Sequence, residues 1–160
     1  MRRCLAVLLI LHLTVSGAPK RSLTDFELTD QHAQTRRYSF PKSKVTFMTV
    51  SDHKGSEQLA PWIQSIYDRY GARVDIDGIA DVSMIPKPFH NFFRSAFRKK
   101  MKRSVLLDWS GTAVKQFNYR EGVANIYVVD RSGQIVEHFS GPLTAPALRA
   151  VMASIDANLL

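Results

Sequence analysis

The chain has 160 residues, a net charge of +8 and 45% hydrophobic residues. That is enough apolar content to core one domain, and too little bias for a disordered or fibrous chain. Its single cysteine, Cys4, excludes a disulfide scaffold, and the positive excess is local: no acidic residue lies between Asp81 and Asp108, while that stretch holds seven cations.

In chain order, Met1, Arg2 and Arg3 form a short positive region ahead of an apolar run over residues 4–15, and Ser16, Gly17 and Ala18 supply small residues for a cleavage site. This pattern predicts a signal peptide over residues 1–18 and a single domain over residues 19–160. The apolar run is too short to cross a hydrocarbon core that needs roughly 20 residues. The expected location is therefore periplasmic or secreted, with an N-terminally anchored protein as the alternative. Cleavage also removes Cys4, leaving 142 residues with no cysteine and a charge of +6.

Residues 26–29 alternate apolar and polar side chains and predict a short strand, followed by a turn over 30–34 and a return strand over 36–40. Residues 44–50 are mostly apolar and β-branched, as expected of a strand buried on both faces. After a loop over 51–55, Leu59, Trp62, Ile63, Ile66, Tyr67 and Tyr70 follow helical spacing until Gly71 stops them. Pro61 must then occupy the first turn or kink the helix. A strand is expected over 74–80, a helix from Pro88 to about Lys102, a short strand over 105–108 and a short helix or turn over 111–117. Residues 124–129 and 134–139 read as the strands of a hairpin turning at 130–133. Gly141 and Pro142 break the chain. Thr144 caps a closing helix whose Leu148, Val151, Met152 and Ile155 face the core. The order predicts an α/β fold in three layers, a mixed central sheet covered by helices, with a C-terminal β-hairpin and closing helix.

Three segments carry a family resemblance. Phe26-Glu27-Leu28-Thr29-Asp30 resembles the opening strand of redoxin domains, the thioredoxin-superfamily branch that holds peroxiredoxins and periplasmic thiol reductases. Leu107-Asp108 with Lys115-Gln116-Phe117-Asn118-Tyr119 is similar to their "LLD…aray" segment. Residues 122–135, GVANIYVVDRSGQI, resemble their "GVPTTFVIDRDGKI" hairpin. The resemblance implies a thioredoxin-like sheet of about four or five strands with flanking helices. It also implies a reactive thiol at the start of the first helix, where the helix dipole lowers its pKa.

This chain departs from that pattern at both defining points. The thiol-bearing loop is Ser51-Asp52-His53-Lys54-Gly55-Ser56-Glu57; His53 or Lys54 takes the place of the first cysteine, and Ser56 or Glu57 that of the second. The hairpin's cis-proline position is Ala124. A cis bond before a residue other than proline costs roughly 2.5–4 kcal/mol, so a trans Val123–Ala124 bond is expected. Without a thiol, autonomous disulfide or peroxide chemistry is impossible.

Three functional classes follow. One is a non-catalytic module that binds a protein or peptide near residues 51–57 and Ala124, or an anionic surface. The second is a redoxin-like thiol-disulfide or antioxidant protein that depends on a partner's cysteine. The third is an enzyme built on His53, Ser56 and Glu57, an acid, base and hydroxyl too close in sequence to converge readily on one atom. The plainest reading of the loop has Ser56 capping the helix, Glu57 complementing its dipole, and Asp52 and Lys54 in solvent. An anion-binding loop is another. No cofactor is expected. His12, His32, His53, His90 and His138 are scattered without metal-ligand spacing.

The basic stretch offers the remaining candidate surface. On a helix, Phe89, Phe92, Phe93, Ala96, Phe97 and Met101 share one side, and Arg94, Arg98, Lys99, Lys102 and Arg103 cover the rest. Such a helix lies on an anionic membrane surface. Alternatively, it packs its phenylalanines on the sheet and turns its cations to water. A partner in the cell envelope is expected; nucleic acid is not.

Overall fold

The computed structural model describes residues 21–159. The signal-peptide and cleavage-site expectation falls on residues 1–18, outside the described residues. The elements run β1 (Arg21–Ser22), β2 (Phe26–Asp30), β3 (Thr35–Tyr38), β4 (Thr46–Ser51), α1 (His53–Ser56), α2 (Leu59–Tyr70), β5 (Asp75–Asp81), α3 (His90–Lys100), β6 (Leu106–Asp108), α4 (Thr112–Phe117), β7 (Asn125–Val129), β8 (Gln134–Ser140) and α5 (Ala145–Asn158). Among the described residues the strands form one mixed sheet in the order β1-β8-β7-β4-β5-β6-β2-β3. β4 pairs parallel with β5 and antiparallel with β7.

All six residues of β4 are buried, which accounts for its mostly apolar and β-branched composition. Strand periodicity assigns its side chains to two cores. Phe47 joins Ile126 and Val128 on the face covered by Trp62, Ile66 and Tyr70 of α2 and by Val151 and Ile155 of α5. Met48 and Val50 join Tyr127 and Val129 on the opposite face, under Tyr38 and under Val114 and Phe117 of α4. Pro61 sits in the first turn of α2, where its missing N–H leaves no helical bond unmade. Thr144 caps α5 by accepting the Ala147 N–H.

The sheet exceeds the four or five strands implied by the family resemblance, because β1 and the β2–β3 hairpin extend its two edges. The two-residue β1 pairs with Gln134 and Ile135 and is too short to leave a sequence pattern. The β2–β3 hairpin reaches the sheet through Thr29 and Asp30 against Leu107 and Leu106.

Asp30 and Gln31 fasten that hairpin's turn. Gln31 is fully buried; its amide donates to the Arg103 carbonyl (2.9 Å) and its oxygen accepts from the Val105 N–H (2.9 Å). Asp30, 1% exposed, accepts from His32 N–H (2.8 Å), Gln34 N–H (3.0 Å) and Ser104 Oγ (2.8 Å). Burial pushes the Asp30 carboxyl up, but these donors and the nearby His32 outweigh it and hold the group below the usual carboxylate range. A carboxylate depressed by folding adds stability above its unfolded pKa of about 3.9 and loses it as pH falls through the folded value. Asp30→Asn is therefore expected to cost about 2 kcal/mol at neutral pH. It should also flatten the acid limb of the stability curve below about pH 4 in urea titrations; an unchanged acid limb would contradict this role.

Candidate functional site

β4 ends at Ser51, and the chain turns into α1 at the position where the resemblance places a reactive thiol. The cap there is Asp52, in extended conformation, with one carboxylate oxygen accepting the Gly55 N–H (2.7 Å). Its other oxygen accepts the Gly122 N–H (2.7 Å), so one side chain ties the loop to the segment that leads into β7. Two neighbouring contacts close the same seam. Gln58 Oε1 accepts the Ala124 N–H (3.2 Å), and Gly55 lies so close to the Val123 carbonyl that a Cβ would overlap it. Ala124 is fully buried, and its carbonyl accepts from Gly141 N–H (2.8 Å). The cis peptide bond among the described residues is Phe40–Pro41; Val123–Ala124 is trans.

The plain reading of this loop is corrected at two residues. Asp52, not Ser56, is the cap, and Asp52 is half-buried and doubly bonded instead of solvated. Ser56 lies inside α1 and donates its hydroxyl to the His53 carbonyl (2.6 Å). His53, Lys54 and Glu57 are exposed. The Ser56 hydroxyl is thus spent on backbone, and no relay links it to His53 and Glu57 among the described residues. The donors of the anion cradle around Ser56 are spent as well. Gly55 N–H holds the Asp52 carboxylate, Ser56 N–H donates to Asp52 O (3.0 Å) and Gln58 N–H to Gly55 O (3.1 Å). Asp52 is a resident anion where an external one would have bound.

The surroundings reinforce that negative character. Tyr119 donates its hydroxyl to Asp81 at the end of β5 (2.7 Å), and Ser83 N–H also donates to that carboxylate (3.0 Å). Burial raises the Asp81 pKa, but these donors outweigh it and hold the carboxyl below its ordinary range. The Tyr119 phenol is raised well above its usual value by burial first, then by Asp81 and by the charges of Asp52 and Glu121. Three carboxylates therefore flank the end of the sheet beside the degenerate loop.

The basic stretch is arranged differently. α3 follows a 3-10 turn at Lys87–Phe89 and has no buried residue. Its contact with the body is one seam. The His90 ring stacks on Trp109 at 3.9 Å, and the Arg94 guanidinium lies 5.8 Å from the same indole. Phe97 and Met101 lie half-buried along that side. At about 100° per residue, Phe89, Phe92, Phe93 and Ala96 fall on a separate stripe that misses the seam. Phe92 is 70% exposed and Phe89 55%. The expectation that the phenylalanines pack on the sheet is therefore corrected for Phe89, Phe92 and Phe93: α3 half-buries its His90–Arg94–Phe97 side, and the aromatic stripe meets solvent. Of the candidate cations, Arg98, Lys99, Lys102 and Arg103 are exposed, and Arg103 also covers the Tyr67 ring at 4.2 Å. Arg94 belongs to the seam. Among the described residues, none of these cations makes an ion pair with an acid.

Solved structures share this architecture. The pneumococcal exposed lipoprotein thioredoxin Etrx1 of Streptococcus pneumoniae superposes with a TM-score of 0.66 at 20% identity, covering 84% of this chain and 99% of that chain. A DsbF homologue from Corynebacterium diphtheriae gives 0.61 at 13% identity, with 87% of each chain covered. A thioredoxin-family thiol:disulfide interchange protein from Chlorobium tepidum gives 0.60 at 13% identity, covering 91% of this chain and all of that one. The fold is thioredoxin-like. No family model and no curated protein matches the sequence. The thioredoxin-like domain described here has no cysteine, since the only one in the chain is Cys4. Nor is any described helix long and apolar enough to cross a membrane.

Sequence reasoning passed over Asp52 as the loop's anchor, although an aspartate just before a helix is a capping signal. It had no means of finding Gln58, whose partner is 66 positions away, or the His90–Trp109 stack, which joins α3 to the end of β6.

Proposed function

We propose that this chain is an exported, non-catalytic thioredoxin-like module of redoxin descent, and that it works by docking onto an anionic surface through α3. The observation that carries the reading is the contrast between its two candidate surfaces. At the loop where the fold's usual chemistry would reside, the backbone donors around Gly55, Ser56, Gln58 and Ala124 are bonded internally, and the position of the thiol is taken by non-thiol residues. On α3, exposed phenylalanines stand beside cations that make no ion pair with an acid among the described residues. A field of this kind attracts anionic lipid headgroups, acidic proteins or glycans, and it weakens as salt screens it.

Dependence on a partner's cysteine is a weaker reading. A substrate strand laid against the hairpin would meet the carboxylates of Asp52 and Glu121.

The protein recovered after export is expected to bind vesicles containing phosphatidylglycerol at low ionic strength and to release as salt is raised. It should show no insulin-reducing or peroxidase turnover above buffer. Robust thiol turnover would sink the non-catalytic reading; failure to bind any anionic vesicle or resin would sink the docking reading.

A further inference from the structure

The large hydrophobic residues exposed among the described residues are Met84 (92%), Phe92 (70%), Phe89 (55%), Tyr67 (47%) and Phe93 (36%). Four of these five lie within ten positions of one another, on α3 and the segment leading into it. On the helix Lys99 and Lys100 fall beside these rings, and Lys87, Arg98 and Lys102 are exposed in the same stretch of chain. We infer that this face enters the interface of an anionic bilayer, with Phe89, Phe92, Phe93 and Met84 below the level of the phosphates and the lysines and arginines on them. The inference rests on the docking reading above and names its partner as lipid.

Three observations select a bilayer over other occupants. Exposed aromatic rings with Lys99 and Lys100 beside them match a bilayer interface, which is apolar beneath an anionic layer. Self-association is opposed by charge, because a symmetric pairing would set two stretches of seven cations against each other with no acid between Asp81 and Asp108. Finally, α3 is attached along one side only, through His90, Arg94 and Trp109, so the aromatic stripe is free to descend without unfolding the domain. The long stems of Lys99 and Lys100 let their ammonium groups reach the phosphates while the neighbouring rings lie deeper.

The test uses the exported protein, its N-terminus checked by mass, with vesicles of phosphatidylcholine containing about one third phosphatidylglycerol. Phe92→Ser with Phe93→Ser should lower the vesicle partition coefficient by about tenfold per ring, or roughly a hundredfold together. Retention on a heparin column, which reads charge alone, should stay at the wild-type salt concentration. A Phe92→Trp variant should shift its emission to the blue on binding and be quenched by brominated acyl chains. The melting temperature guards against loss of fold, and Phe92→Ser alone, at a ring 70% exposed, should leave it unchanged. Wild-type vesicle binding by the double variant, or an indole left unquenched in the Phe92→Trp variant, overturns insertion while leaving electrostatic docking intact. Equal losses on vesicles and heparin overturn lipid as the partner. Loss of wild-type binding to both probes removes the docking reading itself.

Discussion

Reversing Arg98, Lys99 and Lys102 to glutamate together is expected to weaken binding to anionic vesicles by at least a factor of about 100. Each cation near an anionic membrane contributes about 1 kcal/mol, so losing three removes about 3 kcal/mol before the added repulsion of three new carboxylates. The fold should survive, since all three side chains are exposed and none makes an ion pair among the described residues. Co-sedimentation at low and raised salt is the measurement. The wild type should lose most of its binding as ionic strength rises, and the reversed variant should bind weakly throughout. Unchanged binding by the variant, with an unchanged melting temperature, would remove α3 from the account. A separate substitution tests a second point. Arg94 was chosen from the sequence with the other cations, but it packs beside Trp109, so Arg94→Gln should lower stability more than vesicle affinity.

Asp52→Ala should be the most damaging single substitution at the degenerate loop. It deletes two charge-assisted hydrogen bonds, to Gly55 and Gly122 at 2.7 Å each, and leaves both N–H groups without their acceptor. Bonds of this type contribute about 1.5–3 kcal/mol each. A loss of about 3–5 kcal/mol is expected, equivalent to a fall in melting temperature of roughly 10 °C or more for a domain of this size. Asp52→Asn keeps one acceptor oxygen and should recover about half of that loss. Thermal and urea unfolding decide the matter: a neutral Asp52→Ala would mean that the loop and the residue 122–124 segment are held by packing alone. Vesicle binding by the same variant should be unaffected after correction for the folded fraction, because α3 does not touch Asp52. A matching loss of vesicle binding would argue that the degenerate loop, and not α3, is the docking surface.

The parts of this fold that were readable from sequence are those whose signal is local. Strand β4 mixes β-branched and large apolar residues, α2 is a helical repeat ended by Gly71, and β7–β8 are two strands around a turn at Asp130 and Gly133. α5 announces itself through Thr144 and the spacing of Val151 and Ile155. Each is written in neighbouring residues because hydrogen bonding and side-chain periodicity repeat over two to four positions. β1 was invisible for the converse reason. Two residues have no period, and Arg21 and Ser22 are a strand only because Ile135 and Gln134 stand opposite.

The candidate sites divide along the same line. Composition alone excludes thiol chemistry from the domain, since no folding can supply an absent sulfur. Sequence also located the basic stretch and predicted a helix there. It was silent on which side of that helix would be covered. Phe92 and Phe97 are equally apolar in the sequence. Only the position of Trp109 at the end of β6 decides that Phe97 lies along the half-buried seam and Phe92 in solvent. Asp52 follows the same logic: its proximity to a helix start was legible, but its second bond is to Gly122, 70 positions away. Periodicity identifies the residues able to cover or cap something, whereas burial depends on the surface that meets them, and only the assembled chain provides that surface.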